Sequence, residues 1–391
     1  MCKKYTLQHQ HEMIRAHLRL LGRFLFTLKG INLEITDFAS LYEPKFYNAV
    51  IKAVNIVAGL NERTSIYRAP TVASSLGTLI KKLGKILETE CIKQLDKNKK
   101  ERVSDFLSLL EVDYGGSVSK VAIDSRIAKR RNQKVILPSK NDIIKLNKYV
   151  ANLRKSSYQE LEEKFTYQSW LNLAKATLIY IQIFNRRRAG ETERLLISDL
   201  DKSEKIDESD EQYRELRPED KETAEKYRRV IIRGKLARSV PILLDFDMRR
   251  SLKAILKFRR NACVSFGNPY VFGIPGYYKR RYKYLRACTL LREFAHNCGA
   301  KQAQTLRGTN LRKHIATTCA SLNLPENRID SFANFMGHHE KIHRQIYRQP
   351  VAAIDILDMS KVLEKGLGMH DKKNISFENS DIEQHGKYFT L

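Results

Sequence analysis

The sequence predicts a mainly α protein with a small β-sheet (an α+β chain), organised as a helical domain over 1–134, a mixed domain over 135–366 and a polar tail over 367–391. Three observations predict it. Apolar residues recur at steps of three and four in both regions, the spacing of one helix face. Two β-branched runs, Val230–Ile232 and Val240–Leu243, flank a glycine-containing connection, the pattern of a hairpin. A basic cluster then precedes Pro138-Ser139, which reads as a helix start and marks the boundary. At 391 residues the chain exceeds one typical domain and can bury two cores.

In the first domain, Ile14, Leu18, Leu21, Leu25 and Leu28 form an apolar stripe. Arg15, Arg19 and Arg23 form a second, basic stripe on the same helix, either a solvated face or one that meets a DNA backbone. Helical stretches follow at 46–59, 71–93 and 102–110. Two basic clusters come next, Lys97–Arg102 and Arg126–Arg131. The second, with Arg130 and Arg131, reads as a basic linker between two DNA-gripping domains or as a nuclear-import signal. In the second domain a helix runs through Leu171, Ala174, Leu178 and Ile181 and ends near Arg186–Arg188. Residues 201–228 are polar without apolar periodicity and read as an exposed loop. The hairpin comes next, then helices at 284–298, 310–322, 326–336 and about 352–365.

Composition narrows the function. Hydrophobic residues at 42% and charged residues at 29% describe a globular chain. The 71 Lys and Arg against 44 Asp and Glu give a net charge of +27, which favours a polyanion partner. No apolar run approaches the about 18 residues of a membrane span, and the first residues lack the apolar core of a secretory signal. Six cysteines without CxxC spacing read as reduced, mostly buried thiols of an intracellular protein.

Four separated motifs carry chemistry. Arg188 is followed by Glu191, Leu195 and Asp199 at +3, +7 and +11. Arg186 and Arg187 compete with it for one role, but only Arg188 keeps the whole spacing. Lys235 sits in the hairpin turn, within GKLARSVP. Arg312 lies in TNLRKHIATT, three residues after Thr309. Gly337-His338 follows an apolar run, and Tyr347 comes nine residues later. The glycine suits a helix C-terminus, and the chain must turn for His338 and Tyr347 to share one phosphate.

These motifs resemble the catalytic domain of the tyrosine recombinases (the phage-integrase family), and the helical region before it resembles their core-binding domain. The wording of LRKHIAT, FMGHH and HRQIYRQP is most like the recombinases of Crypton-type transposable elements and their domesticated relatives. The resemblance implies DNA recombination and integration through a 3′-phosphotyrosyl intermediate. Tyr347 is then the nucleophile; Arg188, Arg312 and His338 hold the phosphate; Lys235 is the general acid; and Glu191 orients its neighbours. Thr309 stands where the family usually has a histidine, and a hydroxyl cannot take a proton near neutral pH. Lys313, His314 or water then serves instead. No cofactor is implied, metal or nucleotide. The implied partner is double-stranded DNA, held by four protomers on two duplexes, with no small-molecule substrate and no membrane. In a eukaryote the place is the nucleus.

Other readings stay open at this point. A type IB topoisomerase shares the Arg-Lys-Arg-His-Tyr chemistry, and a domesticated DNA-binding protein has lost it. His339-Glu340-Lys341-Ile342-His343 spells HExxH, a zinc-hydrolase helix, with Glu364 and His370 as the near candidates for a third ligand. That reading uses five adjacent residues; the recombinase reading uses four separated motifs.

Overall fold

The computed structural model describes residues 10–132, 135–209, 211–278, 281–321, 326–337 and 363. They form a mainly α structure with three small antiparallel hairpins, divided into two units, Met1–Lys134 and Val135–Leu391.

Helix α1 (Gln10–Ile31) opens the first unit and buries Leu20, Leu21, Phe24 and Leu28. Its buried arc is turned relative to the expected stripe: Leu20 and Phe24 are buried, Ile14 and Leu25 half-buried, and Leu18 exposed. Leu18 lies about 120° around the helix from Phe24 and is 61% exposed. Arg15, Arg19 and Arg23 are exposed. Then come α2 (Tyr47–Ala58), a short hairpin of β1 (Leu60–Asn61) and β2 (Ile66–Tyr67), α3 (Pro70–Lys93) and α4 (Lys97–Tyr114). Tyr42 and Tyr47 set their rings edge-on to Phe106 of α4, at 5.2 and 5.7 Å between centroids. Each buried ring contributes about 1.5–3 kcal/mol of hydrophobic stabilisation, and the phenol of Tyr42 donates to the carbonyl of Ile80 at 2.7 Å. After a π-helical turn at Gly115–Lys120 comes α5 (Val121–Asn132). The Arg126–Arg131 cluster is therefore helical and lies within α5. Ser125 of the same helix is buried and accepts from the amide of Tyr67 at 2.9 Å, which ties it to β2. Arg130 and Arg131 are exposed.

The second unit begins with α6 (Lys140–Glu163), capped by Ser139, whose hydroxyl accepts from Asp142 N at 3.1 Å. It packs on α7 (Tyr167–Asn185), where Trp170 is fully buried and donates its indole N–H to the carbonyl of Ile255 at 3.0 Å. Two one-turn helices follow, α8 (Ala189–Thr192) and α9 (Ile197–Leu200). The polar segment expected as loop carries α10 (Glu211–Arg214) and α11 (Pro218–Lys226), and its Glu204 bridges to Arg229. The expected hairpin is β3 (Arg228–Arg233) with β4 (Ser239–Leu244). Its inward residues Val230, Ile232, Val240 and Ile242 join the core of α7 and α12 (Phe246–Lys257).

A second hairpin, β5 (Gly273–Tyr278) with β6 (Arg281–Tyr284), is not foreseen in the sequence reading. Its glycine and proline dilute the alternating pattern that marks a strand. Helices α13 (Ala287–Asn297), α14 (Gly308–Ser321) and α15 (Glu326–Phe335) complete the unit. The expected helix over 352–365 lies, apart from Leu363, outside the described residues. Among the described cysteines Cys91 and Cys319 are buried, but Cys263 and Cys288 are exposed, against the expectation of mostly buried thiols.

Candidate functional site

The end of α7 organises the site. Asn185 is buried and makes a reciprocal pair with β4: its Nδ2 donates to the carbonyl of Leu243 at 2.9 Å and its Oδ1 accepts from Leu243 N at 2.7 Å. The helix then stops at Arg186, which takes the left-handed conformation (φ 51°, ψ 35°). A non-glycine residue there costs about 1–2 kcal/mol, and such strain is concentrated at functional sites. The turn aims three consecutive arginines into different surroundings.

Arg188 caps α8. Its backbone N donates to Glu191 Oε2 at 3.2 Å and its Nη1 to Glu191 Oε1 at 2.9 Å. Glu191 is buried while the Arg188 side chain is 28% exposed, so the pair presents a fixed cation to the outside. Arg187 is fully buried. Its Nη2 donates to the carbonyl of Pro241 on β4, and its guanidinium lies 4.9 Å from the ring centroid of Phe335 at the end of α15. Burial, with help from the charges of Arg312 and Arg188 and against the pull of Glu191, brings the Arg187 guanidinium down to about 10. Among the described residues its Nε and Nη1 have no hydrogen-bond partner. Arg186 is also pulled down by burial.

Arg312, on the second turn of α14, is 2% exposed and reaches the same turn from a distant part of the chain. Its Nη1 donates to the carbonyl of Arg186 at 2.5 Å and its Nη2 to the carbonyl of Met336 at 2.9 Å. These bonds use two of the five N–H groups of a guanidinium. Gly337 closes the arrangement. Its φ of +65° is the left-handed helix end, and a Cβ placed there would stand 2.8 Å from Val240 Cγ1, 3.5 Å from Arg187 Nη1 and 3.7 Å from Arg188 Nη1. Only glycine allows the chain to pass this close to the arginines.

The expected site residues thus divide into four groups. Arg188, Glu191 and Arg312 come together around Arg186, Arg187 and Gly337. Lys235 is exposed in the one-turn helix Lys235–Ala237 that joins β3 and β4, and Thr309 is exposed in the first turn of α14. Lys313 and His314 are half-buried on α14; burial, then the charge of Arg186, holds the His314 imidazole below its usual value. His338, Tyr347 and the HExxH segment lie outside the described residues. Arg186 and Arg187 are not rivals of Arg188 on a basic surface. Sequence alone gives no sign that Arg187 points inward, because it stands between two identical arginines.

No protein-family model matches the chain, and no curated protein is similar to it at a significant level. Among solved structures it is similar to XerH site-specific recombinase bound to difH substrate in a pre-cleavage complex, with 14% identity and a TM-score of 0.37. It is also similar to XerH bound to palindromic difH substrate in a post-cleavage complex, with 15% identity and a TM-score of 0.39. Both alignments cover 89% of this chain and 96% of the other. Likenesses of this size carry no argument about function.

Proposed function

We propose that this chain cleaves and rejoins DNA strands through a 3′-phosphotyrosyl intermediate on Tyr347. The single observation that supports it most is the convergence of Arg188, Arg312 and the Gly337 turn, three segments far apart in sequence, on one cluster of guanidinium groups. A cluster of fixed cations suits a phosphodiester whose non-bridging oxygens gain charge in the transition state.

In this mechanism the Tyr347 oxygen attacks phosphorus. The P–O5′ bond breaks, and the leaving oxygen takes a proton from Lys235, which is exposed in the turn between β3 and β4. The 5′-hydroxyl of another strand then attacks the phosphotyrosine, returns the phenol and restores a phosphodiester. Arg188, oriented by Glu191, and Arg312 hold the phosphate together with His338. Thr309 accepts or donates a hydrogen bond but takes no proton. His314, held below its usual value by burial and then by the charge of Arg186, is a described group on α14 able to accept one. Four copies on two duplexes, action in a nucleus and kinship with Crypton-type elements are finer parts of this proposal and rest on the sequence resemblance alone.

Thr309 favours a second reading, a domesticated protein that binds DNA without cutting it. Nicked suicide duplexes separate the two. Wild type accumulates a covalent adduct on denaturing gels and Tyr347→Phe does not. DNA binding without adduct on any tested duplex supports the second reading. Relaxation of supercoils without strand exchange identifies a type IB topoisomerase activity instead.

A further inference from the structure

We infer that the β5–β6 ribbon is a separate contact to the phosphates of duplex DNA, flanking the arginine cluster. The ribbon is rooted beside that cluster. Val271 N donates to the carbonyl of Leu195 at 2.9 Å and Ile197 N to that of Pro269 at 3.0 Å. Ala287 N, just past β6, donates to Glu193 Oε2 at 3.0 Å. Residues 193–197 lead from the end of α8 into α9 and begin two residues beyond Glu191. The ribbon's base is therefore fixed to the segment that directly follows the helix capped by Arg188.

Its faces are separated by the period of two along a strand. On β6, Tyr284 is buried, and Tyr282 on the same face closes against Gly267. Arg281 and Lys283 alternate with them on the other face, where Arg281 is half-buried and Lys283 exposed. A bulge between Ile274 and Tyr277 places Gly276 at φ +104°, a conformation that side chains rarely adopt. The Lys283 chain lies across this glycine, its Nζ 3.0 Å from where a Cβ would stand. Asn268, buried, donates to the carbonyl of Lys283 at 2.9 Å and fixes the strand beneath the cation.

The charge pattern identifies the partner. From Met248 to Arg292 the chain has no acidic residue, while Arg281 and Lys283 lie on β6 and Arg292 in the helix after it; Arg286, between them, is paired with Glu193 of the ribbon's root. A solvated basic surface usually mixes in acids; an acid-free run on a two-stranded ribbon suits a duplex, whose major groove admits such a ribbon.

This inference rests on the reading that the chain binds duplex DNA, not on the cleavage chemistry. The experiment is fluorescence anisotropy of the full chain on a labelled mixed-sequence duplex, at several salt concentrations. It compares wild type, Arg281→Ala/Lys283→Ala, and a charge-matched control at exposed lysines, Lys202→Ala/Lys226→Ala, with circular dichroism melts to confirm folding. Each lost phosphate contact flattens the slope of log affinity against log salt by about 0.9. The ribbon variant is expected to be shallower by about 1.8 and roughly 30-fold weaker near 0.15 M salt, taking about 1 M as the concentration at which the electrostatic contribution vanishes. The control is expected to keep the wild-type slope. A ribbon variant that matches the wild type or the control overturns the inference, as does preference for single-stranded RNA over the duplex. Wild type that forms the Tyr347 adduct while the ribbon variant binds normally leaves the proposed function standing and removes this inference alone. Wild type without affinity for duplex DNA removes both.

Discussion

Replacing Arg187 with methionine is expected to leave stability nearly unchanged while slowing phosphotyrosyl formation. The substitution removes a charge-assisted hydrogen bond to the Pro241 carbonyl, about 1.5–3 kcal/mol, and a cation–π contact with Phe335, about 0.5–2 kcal/mol. It also relieves Nε and Nη1, two buried donors without a partner among the described residues, at about 1–3 kcal/mol each. The gains and losses nearly cancel, and an unbranched methionine fills the space of the stem. The net change is within about 2 kcal/mol of zero, or less than about 8 °C in melting temperature for a unit of this size. Breaking a well-paired buried charge would instead cost about 3–5 kcal/mol. The adduct rate at saturating DNA is expected to fall about 100-fold, because Arg187 ties β4 to the segment that leads into His338, and an error of about 1 Å in a reacting group has this size of effect. Binding affinity for the duplex stays at the wild-type value. Differential scanning fluorimetry and single-turnover suicide-substrate assays measure both effects. A fall of more than about 10 °C, or an adduct rate equal to wild type, would refute the reasoning.

Further outcomes follow from the same geometry. Gly337→Ala pays the left-handed conformation, about 1–2 kcal/mol, and the clash with Val240, about 1–3 kcal/mol; adding Val240→Ala relieves the second part, so urea unfolding of the double variant shows less than the sum of the single losses. The His314 imidazole is held below its usual 6.5, so the unfolded chain binds the proton more readily just below that value. Stability present above about pH 6.5 is lost as the pH falls through the window beneath it; melting curves should show this dependence weakened in His314→Gln. Ser139→Ala removes the cap of α6 and costs about 1 kcal/mol in chemical unfolding. Thr309→His restores a titratable group one turn before Arg312 and raises the adduct rate about 10-fold or more; no change at that position would place proton transfer elsewhere.

Much of this architecture was legible along the chain. The helical stretches of the first unit follow from steps of three and four, and Pro138-Ser139 announces α6 because proline and a capping hydroxyl act on their own neighbours. The β3–β4 hairpin was legible because its β-branched runs alternate cleanly. The β5–β6 ribbon was hidden because Gly273, Pro275 and Gly276 dilute the alternation, and its bulge shifts the register partway along. The helices α10 and α11 were hidden for another reason. They bury no residue that is described, so no apolar period marks them.

The sequence by itself determined the mainly α class, the basic character and the spacing of Arg188, Glu191, Arg312 and Gly337. Each depends on residue type or on short-range periodicity, and both are written into the chain. Only the tertiary structure decided which arginine of the triplet is buried, since that depends on Pro241, Phe335 and Gly337 arriving from other segments. The same holds for Arg312, whose partner Arg186 lies 126 residues away. A left-handed turn at Arg186 sends neighbouring, chemically identical side chains to the Pro241 carbonyl on β4 and to the buried carboxylate of Glu191, and nothing in their local sequence distinguishes them.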